Sequence, residues 1–120
     1  SLVDALVQAD PLVTEALHSV AHSADVPSAA RSLGVSERSL QRWLGSKTGR
    51  TPGYWRALAR ARRAAAALAS SLPLIEIAAD HGFADQAHMS REFRRWFDTT
   101  PSTARNCPST MASLTLLGYA

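Results

Sequence analysis

The 120-residue sequence has one cysteine, one lysine and no long apolar run. The lone Cys107 excludes an internal disulfide framework and is expected to be a spare thiol in an irregular tail. The apolar stretches are short and rich in alanine, so we expect no membrane-spanning helix. A Gly-rich phosphate loop and a nucleophile motif are both missing, so the sequence predicts neither an enzyme nor a cofactor.

Strand patterns are missing as well. Valine, isoleucine, threonine and the aromatic residues never alternate with polar residues over five or more positions. Helix signals are frequent, with prolines and polar caps before apolar stripes and glycines after them. The sequence therefore predicts an all-α fold of about seven helices, which begin near residues 11, 26, 36, 52, 73, 85 and 101. The buried stripe of the first helix is expected to be Leu12, Val13, Ala16, Leu17 and Val20.

The charges are distributed unevenly along the chain. Residues 1–30 contain four acids and no lysine or arginine, whereas residues 31–63 contain nine basic residues and a single acid. Residues 91–105 add four arginines. Two basic blocks between acidic stretches indicate an electrostatic footprint for a polyanion, and arginine suits bidentate contacts to phosphate and guanine. A solvated arginine surface has the same charge pattern, so charge alone leaves both interpretations open.

An internal repeat organises the chain. At an offset of 48–49 residues, Ala30 and Gly34 align with Ala78 and Gly82. The second copy has one extra residue between its glycine and its cap. Each copy is interpreted as a helix-turn-helix unit, although a generic helical hairpin also uses a glycine and a cap. The predicted boundaries are 1–10 for an N-terminal linker or extra helix, 11–50 for the first unit, 51–70 for a connecting helix, 71–105 for the second unit and 106–120 for a C-terminal tail.

The turn of each unit follows from its residues. The glycine takes the positive φ that ends the first helix sharply. The apolar residue after it, Val35 or Phe83, is expected to plug the corner into the core. A polar cap, Ser36 or Asp85, then starts the second helix.

A rotation of about 100° per residue divides each second helix into an inward and an outward face. The inward stripes are Leu40, Trp43 and Leu44 in the first unit and Met89, Phe93 and Trp96 in the second. Recognition helices read bases with their N-terminal residues, and arginine and glutamine match guanine and adenine edges. The base-reading candidates are Arg38, Gln41, Arg42, Gln86, Ala87, His88, Ser90 and Arg91. The phosphate candidates are Ser36, Lys47, Arg50, Asp85, Arg94 and Arg95.

In this interpretation the connecting helix sets the distance between the second helices of the two units. Residues 52–69 span roughly 27 Å as a helix, and one turn of B-DNA is about 34 Å. With the width of the flanking units, both second helices are expected to enter successive major-groove segments on one face of the DNA. The chain then works without a dimer, on a site that need not be palindromic.

Three stretches carry a family resemblance: LGVSERSLQRWLGSKTGRTPGYW, ARARRAAAAL and IEIAADHGFADQAHMSREFRRWFDTTPSTAR. Over residues 11–105 the chain resembles the DNA-binding domain of AraC/XylS-type transcription regulators. The resemblance implies seven helices, base contacts at the candidate positions above, an asymmetric promoter site of about two turns, and usually activation through contact with RNA polymerase. It also implies a cytoplasmic, nucleoid-associated protein, and many members carry an N-terminal sensor domain. Ala87 is a departure, because many relatives have a polar side chain there.

Other interpretations are also open. A helical protein-interaction module can use the same arginine-rich face, and a steep salt dependence of binding distinguishes DNA from such a partner. His18 and His22 have the i, i+4 spacing of a metal pair. Without a nearby third ligand they are expected to be surface histidines, and no metal is predicted.

Overall fold

The computed structural model describes residues 10–116, with side chains to residue 114. That range contains eight helices and no strand. In chain order the helices are α1 (Pro11–His22), α2 (Val26–Ser32), α3 (Glu37–Thr48), α4 (Pro52–Ala67), α5 (Leu74–Asp80), α6 (Gln86–Phe97), α7 (Pro101–Arg105) and α8 (Pro108–Leu116). The all-α prediction is confirmed. The predicted linker or extra helix at 1–10 lies, apart from Asp10, outside the described residues.

The last helix, α8, corrects the sequence prediction of an irregular tail around Cys107. Its apolar residues follow no clear helical stripe, which is why the sequence pattern did not indicate it. Pro108 occupies the first helical position, where a proline needs no hydrogen-bond acceptor. Met111 and Leu114 pack, partly buried, against the core of the second unit. Tertiary packing therefore supports a helix that periodicity alone did not predict.

Two compact units divide the chain within α4, at residues 1–57 and 58–120. In the first unit α1 packs on α2 and α3. The buried face of α1 comprises Val13, Ala16, Leu17, Val20 and Ala21. The prediction that Leu12 belongs to this stripe is wrong, since its side chain is 62 % exposed. It lies roughly 110° around the helix from the centre of the buried stripe.

Side chains from α4 hold the first unit together. The guanidinium of Arg56 donates to the backbone carbonyls of Val20, Ser23 and Ala24, at and just after the C-terminal end of α1. A cation at this end of a helix is stabilised by the orphan carbonyl groups there. The buried Trp55 donates from Nε1 to the hydroxyl oxygen of Thr48 at 2.9 Å.

The second unit has its own apolar core. Its buried residues are Ala64, Ala65, Leu68, Ile77, Ala78, Phe83, Met89, Phe93 and Ala104. These residues come from α4 to α7 and from the segments between these helices, so the unit closes around residues distant in sequence. Arg105 donates from Nε to the carbonyl of Leu68 at 3.3 Å, just beyond the end of α4. Both units thus contain an arginine that binds backbone carbonyls near the end of a helix.

Candidate nucleic-acid interface

The two turns share one backbone structure. The amide of Val35 donates to the carbonyl of Ala30 at 3.0 Å, and the amide of Phe83 donates to the carbonyl of Ala78, also at 3.0 Å. The intervening glycines, Gly34 and Gly82, have φ angles of 72° and 80°. This six-to-one hydrogen bond across a left-handed residue is the Schellman helix ending. The repeat seen in the sequence is therefore a repeat of backbone geometry.

The side chains after the glycines differ between the units. Phe83 is 6 % exposed and fills its corner, as predicted. Val35 is 43 % exposed, so the prediction that it plugs the first corner is wrong. It borders an open apolar groove, which has a volume of about 350 Å³ and is also lined by Leu12, Leu33 and Trp43. A valine side chain is too short to fill this space.

Each second helix begins at a side-chain cap, as the sequence predicts. The hydroxyl oxygen of Ser36 accepts from the amide of Ser39 at 3.0 Å, and the carboxylate of Asp85 accepts from the amide of His88 at 2.6 Å. The helices that follow, α3 and α6, are each 12 residues long. The caps satisfy amides that have no partner inside the helix and thereby fix where the helix starts.

The outward face of α3 is basic and exposed. Arg38, Gln41 and Arg42 are all exposed and line an open polar concavity together with Glu37. On the opposite face Leu40 and Leu44 are buried, as predicted. Trp43 is only partly buried and borders the apolar groove, so its predicted place in the core is correct only in part.

The outward face of α6 presents a more varied set of groups. Gln86, Ala87 and Arg91 are exposed, whereas His88 and Ser90 are half-buried. Met89 and Phe93 are fully buried, as predicted.

Trp96 does not complete the buried stripe, which corrects the prediction. Its ring is only partly buried, and the guanidinium of Arg95 lies over it at 4.4 Å from the centroid. By helical rotation Trp96 lies on the same face as Met89 and Phe93, but it is in the last turn of α6, which ends at Phe97. The side chain therefore lies at the edge of the unit.

Several phosphate candidates already have partners within the protein. Lys47 pairs with Asp10 at 3.9 Å, Arg95 pairs with Glu92 at 3.6 Å, and Arg50 lies over the ring of Tyr54 at 4.9 Å. Arg94 is exposed. Ion pairs at the protein surface are weak, so the paired cations can exchange their partners for phosphate at small cost.

Arg56 and Arg60 belong to the basic block at residues 31–63, but both side chains bind groups within the protein. Arg60 pairs with Glu92 at 3.6 Å, and its guanidinium lies 5.0 Å from the centroid of the Phe83 ring. Arg56 binds carbonyls at the end of α1. The sequence contains one signal for the internal role of Arg60. Glu92 is the only acidic residue within the otherwise basic helix α6.

The histidine pair and the cysteine lie outside α3 and α6. Residues 10–116 contain no group of three potential metal ligands, and none of their helices is long and apolar enough to cross a membrane. His18 and His22 are exposed, with rings stacked at 4.2 Å. Hydrogen bonds from Ser109 and Thr110 lower the pKa of the Cys107 thiol to about 7. The hydrogen bond from Ser28 lowers the pKa of Asp25, which caps α2.

Comparison with known proteins agrees with this geometry. A family model described as a helix-turn-helix domain matches residues 29–106, more than half of the chain. The HTH-type transcriptional regulator RipA of Corynebacterium glutamicum is 41 % identical over 70 residues, which cover 58 % of this chain and 21 % of RipA. Regulatory protein SoxS of Escherichia coli (strain K12) is 38 % identical over 78 residues, which cover 64 % of this chain and 73 % of SoxS.

A solved structure has the same fold. The crystal structure of a transcriptional regulator with an AraC-type DNA-binding domain, from Chromobacterium violaceum, matches with a TM-score of 0.70 at 27 % identity. The match covers 82 % of this chain and 95 % of that one. This chain spans only about a fifth of RipA, so what RipA does as a whole is not carried over. The two capped basic helices, the repeated turn and these matches lead to one conclusion: the chain belongs to the AraC-type helix-turn-helix DNA-binding domains of transcription regulators.

Proposed function

We propose that this domain binds an asymmetric duplex DNA site with α3 and α6 in successive major-groove segments. The observation that carries the proposal is the repeated unit itself. Two Schellman turns with matching hydrogen bonds each precede a capped helix with an exposed arginine in its N-terminal half. An α-helix fits the major groove, and recognition helices present their N-terminal residues to the bases.

Base reading is assigned to the exposed N-terminal residues of both helices. Arg42 in α3 and Arg91 in α6 have planar guanidinium groups that fit the O6 and N7 acceptors of guanine. Gln41 and Gln86 suit adenine, which offers an acceptor and a donor side by side. Ala87 has no hydrogen-bonding group, so its contact is with a thymine methyl. Arg38, on the outward face of α3, and the half-buried His88 and Ser90 of α6 complete the set.

Phosphate binding is assigned to the exposed cations beyond these residues. Arg94 is the main contact in the second unit, whereas Arg95 leaves Glu92 to bind phosphate. In the first unit Arg50 and Lys47 take this role, and Lys47 then leaves Asp10. Ser36 offers its hydroxyl beside the N-terminus of α3. Asp85 acts through its cap, because a carboxylate and a phosphate are both acceptors and repel each other.

Selection from random duplex DNA at a fixed salt concentration tests the proposal. We expect an asymmetric site with two conserved boxes about one helical turn, roughly 10 base pairs, apart. The affinity should fall with salt, with a log–log slope of about −0.9 for each phosphate neutralised. Failure to bind any duplex at low salt contradicts the proposal, and favours a protein partner for the arginine-rich face.

The regulatory role extends beyond the chain described. We propose that the domain activates transcription by contacting RNA polymerase at a promoter, and that a sensor domain on its N-terminal side supplies an effector response. The second point rests on the family, many of whose members carry a sensor domain on the N-terminal side. In vitro transcription from a promoter carrying the selected site tests the first point. Activation by the domain alone supports polymerase contact, whereas reduced transcription assigns a repressor role.

A further inference from the structure

His88 lies in the first helical turn of α6, next to the loop that follows Gly82. The backbone amide of Ala84 donates to Nδ1 of His88 at 3.0 Å. The amide of His88 itself donates to Asp85 at 2.6 Å, and the imidazole ring stands edge-on to Phe83, with centroids 5.3 Å apart and planes at 78°. The backbone and the ring of His88 are therefore both held.

The hydrogen bond from Ala84 determines which ring nitrogen carries the proton. A backbone amide can only donate, so Nδ1 must present its lone pair. A neutral imidazole with an acceptor at Nδ1 carries its hydrogen at Nε2. In the described part of the chain, no hydrogen bond to Nε2 is present. This nitrogen is thus a donor with a fixed direction, and it cannot accept.

The extra residue in the second unit explains why this bond exists. The second turn has Ala84 between its apolar plug and its cap, whereas in the first turn the cap Ser36 follows Val35 directly. This additional backbone amide is exposed and has no counterpart in the first turn, and the imidazole of His88 accepts from it. At the matching position of the first unit stands Ser39, whose amide and hydroxyl both contact Ser36. The hydrogen bond from the Ala84 amide to Nδ1 of His88, which we call the histidine clamp, is therefore specific to the second unit.

We propose that His88 is a positioning and specificity-determining residue. Nδ1 fastens the longer turn to α6, and Nε2–H donates to one hydrogen-bond acceptor on the DNA, either a base edge or a phosphate oxygen. This inference rests on the proposed function, in which α6 lies against DNA. Because the ring is held in place, a base that presents a donor at this position, such as cytosine N4 or adenine N6, is disfavoured. His88 thus discriminates through a fixed tautomer.

Two substitutions separate the two nitrogens. His88→Asn keeps an acceptor near the position of Nδ1 and removes the distal donor. His88→Gln keeps a distal amide donor and moves its acceptor away from Ala84, and His88→Ala removes both. On the free protein, nitrogen NMR shifts should show the wild-type hydrogen at Nε2. Amide exchange at Ala84 should be about tenfold faster in His88→Gln and His88→Ala, and close to wild type in His88→Asn.

DNA analogues then identify the acceptor. With the selected duplex, analogues lacking one base acceptor (N7, O6 or O4) or one phosphate charge (methylphosphonate) are placed singly along the second box. One analogue should weaken wild-type binding about tenfold and leave His88→Asn unaffected, since the variant has already lost that contact. Sensitivity to a base analogue supports the specificity role of His88. Sensitivity to a methylphosphonate alone overturns that role and leaves His88 as a phosphate contact.

The outcomes separate this inference from the proposed function. The hydrogen bond between the Ala84 amide and His88 Nδ1 is overturned if the wild-type ring carries its hydrogen at Nδ1. It is also overturned if amide exchange at Ala84 is the same in His88→Gln as in the wild type. Neither result depends on DNA binding. Equal analogue profiles for the wild type and His88→Asn overturn the donation from Nε2 while DNA binding stands. If no duplex binds at all, the proposed function fails and the DNA contact of His88 fails with it, whereas the clamp is still decided by the NMR measurements on the free protein.

Discussion

The two helix-turn-helix units share a backbone and differ in how the corner is filled. Both turns have the same six-to-one hydrogen bond at 3.0 Å and a glycine with positive φ. In the second unit Phe83 is buried, with Arg60 over its ring and the edge-on ring of His88 beside it. In the first unit Val35 stands exposed beside an open groove. A turn of this kind therefore forms with or without a filled corner.

This difference indicates that the units are held by different means. In the second unit α6 is tied to α4 by the ion pair between Arg60 and Glu92, and Arg60 also lies over the Phe83 ring. The first unit is held by the hydrogen bond between Trp55 and Thr48 and by the Arg56 cap on the end of α1. Polar contacts from α4 support both units, and the second unit adds aromatic packing next to its turn.

The largest expected difference concerns the residues after the glycines. Phe83→Ala should lower the free energy of unfolding by about 3–5 kcal/mol, because it removes a buried ring from the core of the second unit. Val35→Ala should change it by about 0.5 kcal/mol or less, since the side chain is already exposed. Chemical denaturation followed by circular dichroism measures both. Equal losses for the two variants contradict the different burial of the two corners.

The tryptophans provide a second comparison. Trp55→Ala in the first unit should cost about 3–5 kcal/mol, because a 5 %-exposed ring and its hydrogen bond are lost. Trp96→Ala in the second unit should cost only about 1–2 kcal/mol, since the ring is partly exposed. From the sequence alone, with Trp96 in the buried stripe, the expectation is about 3–5 kcal/mol. The midpoints of urea unfolding distinguish the two values.

Substitutions at the exposed arginines of α3 and α6 test the proposal that both units read bases. Arg42→Ala and Arg91→Ala should each weaken binding to the selected site by about 1–3 kcal/mol and relax base choice within their own box. Arg94→Ala, the matched control on α6, should weaken binding to all sequences alike. Titrations of selected and scrambled duplexes at one salt concentration measure this. Equal losses on both duplexes for Arg42→Ala rule out base reading by that residue.

The caps are expected to show the smallest effect. Asp85→Ala and Ser36→Ala should each lower the free energy of unfolding by about 1 kcal/mol, because each leaves an amide of the first helical turn without its side-chain acceptor. Asp85→Ser and Ser36→Asp keep a capping oxygen and serve as controls. Thermal unfolding compares the four variants. A cap variant that unfolds at the wild-type temperature shows that water replaces the cap in that unit.

Local signals in the sequence determined most of the architecture. The prolines and caps specify where seven of the eight helices in residues 10–116 begin, since these residues act on the backbone within one turn. The spacing between Ala30 and Gly34, repeated at Ala78 and Gly82, specifies the two turns. The helical repeat separates the exposed candidate residues from Leu40, Met89 and Phe93, which are buried.

Only the tertiary structure decided how the side chains around these elements are used. Burial depends on neighbours distant in sequence, so Val35 and Leu12 are exposed while Phe83 is not. Arginines with the same side chain have different roles. Arg56 and Arg60 bind partners within the protein, whereas Arg42 is exposed. The helix α8 forms where Met111 and Leu114 reach the core of the second unit. Local backbone preferences act over a few residues and can be predicted from the sequence. Packing and charge pairing depend on which surfaces the fold brings together.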